Sequence, residues 1–263
     1  LAGGCSPAPP MSSPTSPDDS AVAGAAGSQS LAILLEGVGV RYRLPLDPAA
    51  SVKEYAIRRI TGRLRYLDFD ALTDVQLAVH HGETLGIIGS NGAGKTTLLR
   101  LIARVLKPTS GRVRVWGRVA PILDLVGAFH PELTGRENIL LNGTLLGLGR
   151  RAIVDRLDRI VAFAELERFI DAPLRTYSSG MVARLGFSVI SDVDAEIVVI
   201  DEALGVGDEA FQLKCAARLD EIRRRGTTLL LVSHDLHSIV RLCAHALWLD
   251  HGRVQLAGSA EDI

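Results

Sequence analysis

The run Thr84-Leu-Gly-Ile-Ile-Gly89-Ser90-Asn91-Gly92-Ala93-Gly94-Lys95-Thr96-Thr97 decides how this chain is read. Its first half is an apolar strand that breaks into glycines at Gly89. A helix is expected from Gly94 to Val105, stopped by Lys107-Pro108. Strand, glycine-rich loop and helix together form the context in which G-x-x-x-x-G-K-[ST] holds phosphate. The glycines let successive backbone N–H groups converge on an anion, and the helix N-terminus adds its partial positive charge at the same point. Residues 89–97 are therefore expected to bind ATP. Lys95 should reach the β- and γ-phosphates, and the Thr96 hydroxyl should ligate Mg2+. The competing reading is a glycine-rich turn before a helix that happens to carry a lysine.

Two other buried strands end in polar residues. Ile197-Val-Val-Ile-Asp201-Glu202 closes on two acids, and parallel sheets place such strand ends at the nucleotide crevice. Asp201 is expected to hold Mg2+ through water. Glu202, pointing elsewhere, is expected to orient or deprotonate the attacking water. The alternative is an acidic pair capping the next helix. Thr227-Thr-Leu-Leu-Leu-Val-Ser-His234 is the other such strand, and His234 could bridge the γ-phosphate and the catalytic carboxylate. Taken alone, a histidine after a strand is more often a structural hydrogen-bonder.

Outward from these motifs, short β-rich runs alternate with helical ones, as in an α/β domain on a largely parallel sheet. Leu31 to Tyr42 and Leu72 to Val79 read as strands, and a final hairpin turns at His251-Gly252. Between about 135 and 191 the pattern is helical. Helices are expected at Asn138 to Leu148 and Ala152 to Phe163, the second with Ile153, Leu157, Ile160 and Val161 on one face. This reads as a helical subdomain inserted into a nucleotide-binding domain of residues 31–263. Leu1 to Ser30 is rich in Pro, Ser, Ala and Gly and is expected to be a disordered tail. Ala2-Gly-Gly-Cys5 lacks the charged start and apolar run that precede a lipidation box, so the tail is read as an idle extension.

Composition limits the function classes. With 263 residues, 47% of them hydrophobic, the chain can bury a sizeable core, and a net charge of −1 gives no overall pull toward nucleic acid. The three cysteines are widely spaced and odd in number, which fits a reducing compartment better than a disulfide framework. The uncharged apolar runs fall short of the ~20 residues a membrane-spanning helix requires. Val52 to Leu67 carries Lys53, Arg58, Arg59, Arg63 and Arg65 beside apolar residues near helical spacing. Such a segment either meets a partner or lipid headgroups, or packs on the sheet with a solvated basic face. Arg223-Arg-Arg225 before Gly226 reads as cations at a helix C-terminus with a glycine cap.

These motifs in this order resemble the nucleotide-binding subunits of ABC transporters, from about Leu31 to Ile263. Tyr177-Ser178-Ser179-Gly180-Met181, opening a helix about twenty residues before Asp201, is similar to that family's Leu-Ser-Gly-Gly-Gln segment. The resemblance implies an α/β fold: a P-loop (RecA-like) nucleotide-binding domain with an antiparallel β subdomain and an inserted helical subdomain. It implies a head-to-tail homodimer sharing two sites, in which Ser178, Gly180 and Asp208 act in trans. It also places Tyr42 where an aromatic stacks on adenine, against the ordinary reading of a half-buried strand tyrosine. The family's γ-phosphate-sensing glutamine has no counterpart; its position falls on Leu125, beside Asp124. Gly205 stands where a serine is common in the segment ending at Asp208.

More narrowly, the pentapeptide, Ala203-Leu-Gly-Val-Gly-Asp208-Glu-Ala-Phe211 and Gly127-Ala-Phe-His-Pro-Glu-Leu-Thr-Gly-Arg-Glu-Asn138 resemble the exporters of O-antigen, teichoic acid, capsule and galactan. That resemblance implies an ATPase using ATP and Mg2+, peripheral at the cytoplasmic face of the inner membrane. A transmembrane permease subunit would be its partner, and the lipid-linked glycan would be handled indirectly. A rival is a soluble ABC ATPase acting on ribosomes or nucleic acid, a class that usually carries two cassettes or long coiled-coil insertions. Another is a module that binds ATP without hydrolysing it, against which Lys95, Asp201, Glu202 and His234 all count.

Overall fold

A computed structural model of the chain describes residues 30–45, 66–122, 129–201, 207–233 and 236–263. Two sheets and a group of helices build it. The smaller sheet is antiparallel, with β1 (Leu31–Pro45) between β2 (Tyr66–His80) and β4 (Ser110–Val115). The larger has six strands in the order β5 (Val119–Ile122), β6 (Ile197–Asp201), β7 (Thr228–Val232), β3 (Thr84–Ile88), β8 (His245–Asp250) and β9 (Arg253–Ser259). All of its neighbouring strands run parallel except β9, which folds back on β8.

The apolar runs of β6 and β7 carry no polar alternation because both faces are covered. Ile197, Val199, Leu230 and Val232 enter one core, shared with β1, β2 and α1 (Lys95–Ile102). Val198, Ile200, Leu229 and Leu231 enter the other, shared with α5 (Glu209–Arg224) and α6 (Leu236–Leu242). At Gly86 of β3, an added Cβ would stand 2.6 Å from Ile239, so α6 lies flush on the central strand. A third core joins α2 (Gly135–Leu145), α3 (Arg150–Ala164) and α4 (Ser179–Ser191), and the expected α3 face of Ile153, Leu157, Ile160 and Val161 is buried in it.

Several expected boundaries move for local reasons. Helix α1 stops at Ile102 rather than Val105: Arg104 turns left-handed at φ 60°, and Val105 and Leu106 both donate back to the Arg100 carbonyl. Helix α2 starts three residues before Asn138 because Thr134 and Glu137 form a reciprocal capping box. It ends before Leu148, where Gly147 adopts φ 83°. Strands β1 and β2 extend beyond the expected ranges, pairing as far as Pro45 with Tyr66. Strands β4 and β5 were not anticipated. Both lie at sheet edges; β4 alternates arginine with valine, and Pro121 in β5 is tolerated because an edge strand has one unpaired side. Helix α5 ends at the expected place, with its C-terminal arginines and Gly226 at φ 81° matching the expected cap, whereas its start was not read. Among the described residues, no helix is long and apolar enough to cross a membrane.

Candidate nucleotide site

Parallel strands bring their C-terminal ends to one edge of the sheet, and the candidate site gathers there. The loop after β3 curls through left-handed backbone at Gly89, Gly92 and Gly94 before α1 begins. At Gly89 an added Cβ would lie 2.1 Å from the Leu249 carbonyl oxygen, so only glycine fits. Lys95 is only 7% exposed, and its Nζ donates to the carbonyls of Gly89 at 2.8 Å and Ser90 at 3.0 Å. The ammonium thus sits inside the curl where phosphate oxygens would collect. The first turn of α1 contains no acidic residue to oppose an anion.

The expected metal pair is brought together across 105 residues of sequence: the Thr96 hydroxyl donates to Asp201 Oδ2 at 2.8 Å. A hydroxyl and a carboxylate are hard oxygen donors. Mg2+ commonly takes only one or two protein oxygens and fills its octahedron with water and substrate phosphates. The pair therefore fits that ion without a larger cage, and among the described residues no cluster of three His, Cys, Asp or Glu side chains forms one. Cys215 and Cys243 are buried, and desolvation pushes both thiols up to about 12, so they stay protonated and unreactive.

Glu202 and His234 lie outside the described residues, one position beyond Asp201 and Ser233 respectively. Leu125, Asp124, Gly205 and most of the basic segment 52–67 also lie outside them. Tyr42 is half-buried on β1 opposite Phe69 of β2 and packs against the first core. This is the sheet contact of the ordinary reading, and the adenine role rests on the resemblance.

The remaining candidates sit at helix starts. Ser178 caps α4, its Oγ accepting from the Met181 amide at 3.2 Å, and no acid occupies that first turn. An added Cβ at Gly180 would meet nothing closer than 3.8 Å, leaving the helix end approachable. Tyr177 anchors the segment by donating its hydroxyl to the Phe169 carbonyl at 2.6 Å. Asp208 caps α5, accepting from the Phe211 amide at 2.9 Å. Asn138 is fully buried and ties the His130–Thr134 turn to α2 through four hydrogen bonds, a structural task for part of the run read as a subfamily motif.

One supporting feature was not read from the sequence. The β8–β9 turn buttresses the phosphate loop: the Gly252 amide donates to the Ala93 carbonyl at 2.9 Å, and the Gly252 carbonyl accepts from the Thr73 amide at 2.8 Å. Gly252 has φ 73°, and an added Cβ would sit 2.6 Å from the Ala71 carbonyl. The hairpin was legible, but contacts spanning some 160 residues leave no local signal. Gly252→Ala should cost ~1–2 kcal/mol through the left-handed backbone alone, read as a lower midpoint in denaturant unfolding. An unchanged midpoint would mean that the turn relaxes freely.

The sequence pattern that defines the family described as "ABC transporter" matches residues 72–205, reaching from β2 through the phosphate loop and past Asp201. This chain belongs to that family. Within it, the chain is 51% identical over 208 residues to the O-antigen export system ATP-binding protein RfbB of Klebsiella pneumoniae, covering 79% of this chain and 83% of that one. It is 36% identical over 231 residues to the teichoic acids export ATP-binding protein TagH of Bacillus cereus, covering 88% of this chain but 41% of that longer relative. Among solved structures, the ATP-binding cassette MJ0796, in a post-hydrolysis dimer bound to ADP and Pi, superposes with a TM-score of 0.69 at 21% identity, covering 87% of this chain and 98% of that one. That likeness establishes the ABC cassette fold, with its antiparallel β subdomain and inserted helices.

Proposed function

We propose that this chain is the ATP-binding and ATP-hydrolysing subunit of an ABC transporter that energises export of a lipid-linked cell-surface polysaccharide. The observation that carries the nucleotide half is the hydrogen bond from Thr96 to Asp201 beneath a lysine-filled phosphate loop. The export half is supported by relatives whose names specify O-antigen and teichoic acid export.

Each residue then has a task. Backbone amides of residues 89–97 and the Lys95 ammonium bind the triphosphate, Lys95 exchanging its two carbonyl partners for phosphate oxygens. Thr96 and Asp201 hold Mg2+, which when bound neutralises phosphate charge and polarises the bond to be broken. Glu202 orients the attacking water and takes its proton, and His234 steadies the γ-phosphate against that carboxylate. Tyr42 stacks on adenine. Ser178, Gly180 and Asp208 of one subunit complete the site of a second copy. ATP closes this homodimer and hydrolysis reopens it, driving a transmembrane permease from the cytoplasmic face of the inner membrane. The lipid-linked glycan is handled by that permease, and no nucleic acid is involved.

The test is to tag the Glu202→Gln chain in its native cell, solubilise membranes with ATP present and identify what copurifies. A multi-span membrane protein encoded among glycan-assembly genes is expected. Ribosomes, nucleic acid or no partner would overturn the transport assignment while leaving the ATPase.

A further inference from the structure

Helices α4 and α5 begin with the two caps assigned to the opposite subunit's nucleotide, Ser178 and Asp208. Besides the Phe187–Phe211 ring contact and the Arg218–Ser191 hydrogen bond, Arg184 joins the two helices. Arg184 lies on α4, two three-residue steps beyond Ser178 by way of Met181, whose amide Ser178 caps. Its guanidinium pairs with Glu165 and lies over the Phe211 ring, 4.8 Å from the centroid. Phe211 is 1% exposed, and its amide is the donor that Asp208 accepts. Arg184 therefore ties the helix that Ser178 caps to the residue whose amide Asp208 caps.

Glu165 closes the arrangement from a third element. It stands just past α3 in left-handed backbone at φ 58°, and also accepts from Lys214 of α5 at 3.0 Å. Lys214, with Arg184 beside it, holds the Glu165 carboxyl below the usual carboxylate range. Lys214 also donates to the Phe163 carbonyl at 2.8 Å and lies over that ring. Phe163, Phe187 and Phe211 pack edge and face at 5.9–6.3 Å beneath these cations. Among the described residues, the Arg184 Nε is the one buried side-chain nitrogen or oxygen with no hydrogen-bond partner. The guanidinium is thus held by its other contacts, the Glu165 pair and the Phe211 ring.

We propose that Arg184 is a positioning residue: by clamping Phe211 and Glu165 it locks the α4 and α5 N-termini into one rigid unit, so that Ser178, Gly180 and Asp208 close on the opposite nucleotide together. This rests on the shared-site reading above and adds what keeps the two trans segments in register.

The test compares Arg184→Ala and Glu165→Gln with the unaltered chain. ATP affinity is measured at protein concentrations too low for dimerisation, and ATPase rate per molecule is followed as protein concentration rises. Expected for both variants are ATP affinity within about twofold of the unaltered chain and a maximal rate lower on the order of tenfold, the scale of a typical site-to-site coupling. The activating concentration should shift upward. The double variant should be no worse than the single ones, because both break one unit, and Arg184→Lys should recover part of the rate through Glu165. A loss that merely tracks the folded fraction, or an unchanged rate and activating concentration, would overturn the proposal. If Arg184→Ala does not fold, Glu165→Gln decides. The unaltered chain separates the two ideas: if its own rate per molecule does not depend on concentration, the shared site itself fails, whereas dependence there with unaffected variants removes only the role of Arg184.

Discussion

Glu202→Gln should lower ATP turnover by ~10²–10⁴-fold, the typical worth of a general base, while ATP still binds. The residues proposed to hold the triphosphate and metal, Lys95, Thr96 and Asp201, are left intact by that change. With nucleotide bound and not consumed, the two-copy assembly should accumulate. Size-exclusion chromatography with ATP and Mg2+ should show a species of twice the mass, absent with ADP. A monomer under those conditions, or turnover within a few-fold of the unaltered chain, would move the base to another residue.

Lys95→Met should act on the other side of the cycle, removing ATP binding itself. The ammonium is almost fully enclosed and satisfied by two loop carbonyls, so its removal deletes the cation and leaves the Gly89 and Ser90 oxygens facing incoming phosphate. Removing one partner of a buried charged contact costs about 2–5 kcal/mol, or roughly 30- to 4000-fold in affinity at 1.4 kcal/mol per decade. A fluorescent ATP analogue titrated against the two proteins would measure it. Affinity within threefold of the unaltered chain would mean that the loop amides alone hold the phosphates. The two substitutions are diagnostic together, because one should trap the closed assembly and the other should prevent it.

What could be read from the sequence was what is local. The phosphate loop, the Asp201 strand end and the buried face of α3 each follow from periodicity or spacing within a few turns of chain, and each is found where expected. The pairing of Thr96 with Asp201 was also readable, because parallel strands oblige their ends to meet. What escaped is of two kinds. The edge strands β4 and β5 carry arginine and proline that dilute the strand pattern, because an edge makes weaker demands than a sheet centre. The Gly252 buttress and the Arg184 clamp depend on residues distant in sequence that meet only when the sheet and the helices are assembled. The left-handed Arg104 that ends α1 lies between these cases: a stop was expected at Lys107-Pro108, and the helix ends earlier, at Ile102.

The placement of β3 at the heart of the larger sheet also bears on how the molecule comes into being. Its neighbours are β7 and β8, whose paired residues lie about 145 and 160 positions further along the chain. On the ribosome, at ~5–20 residues per second, the strand that leads into the glycine-rich loop waits about 8–30 s for both flanking strands. During that interval it is an apolar ribbon with two open edges, and of the antiparallel sheet only β1 and β2 have been made before it. Competence to hold ATP is thus acquired only once the β8–β9 turn has been made and Gly252 can donate to the Ala93 carbonyl of the loop.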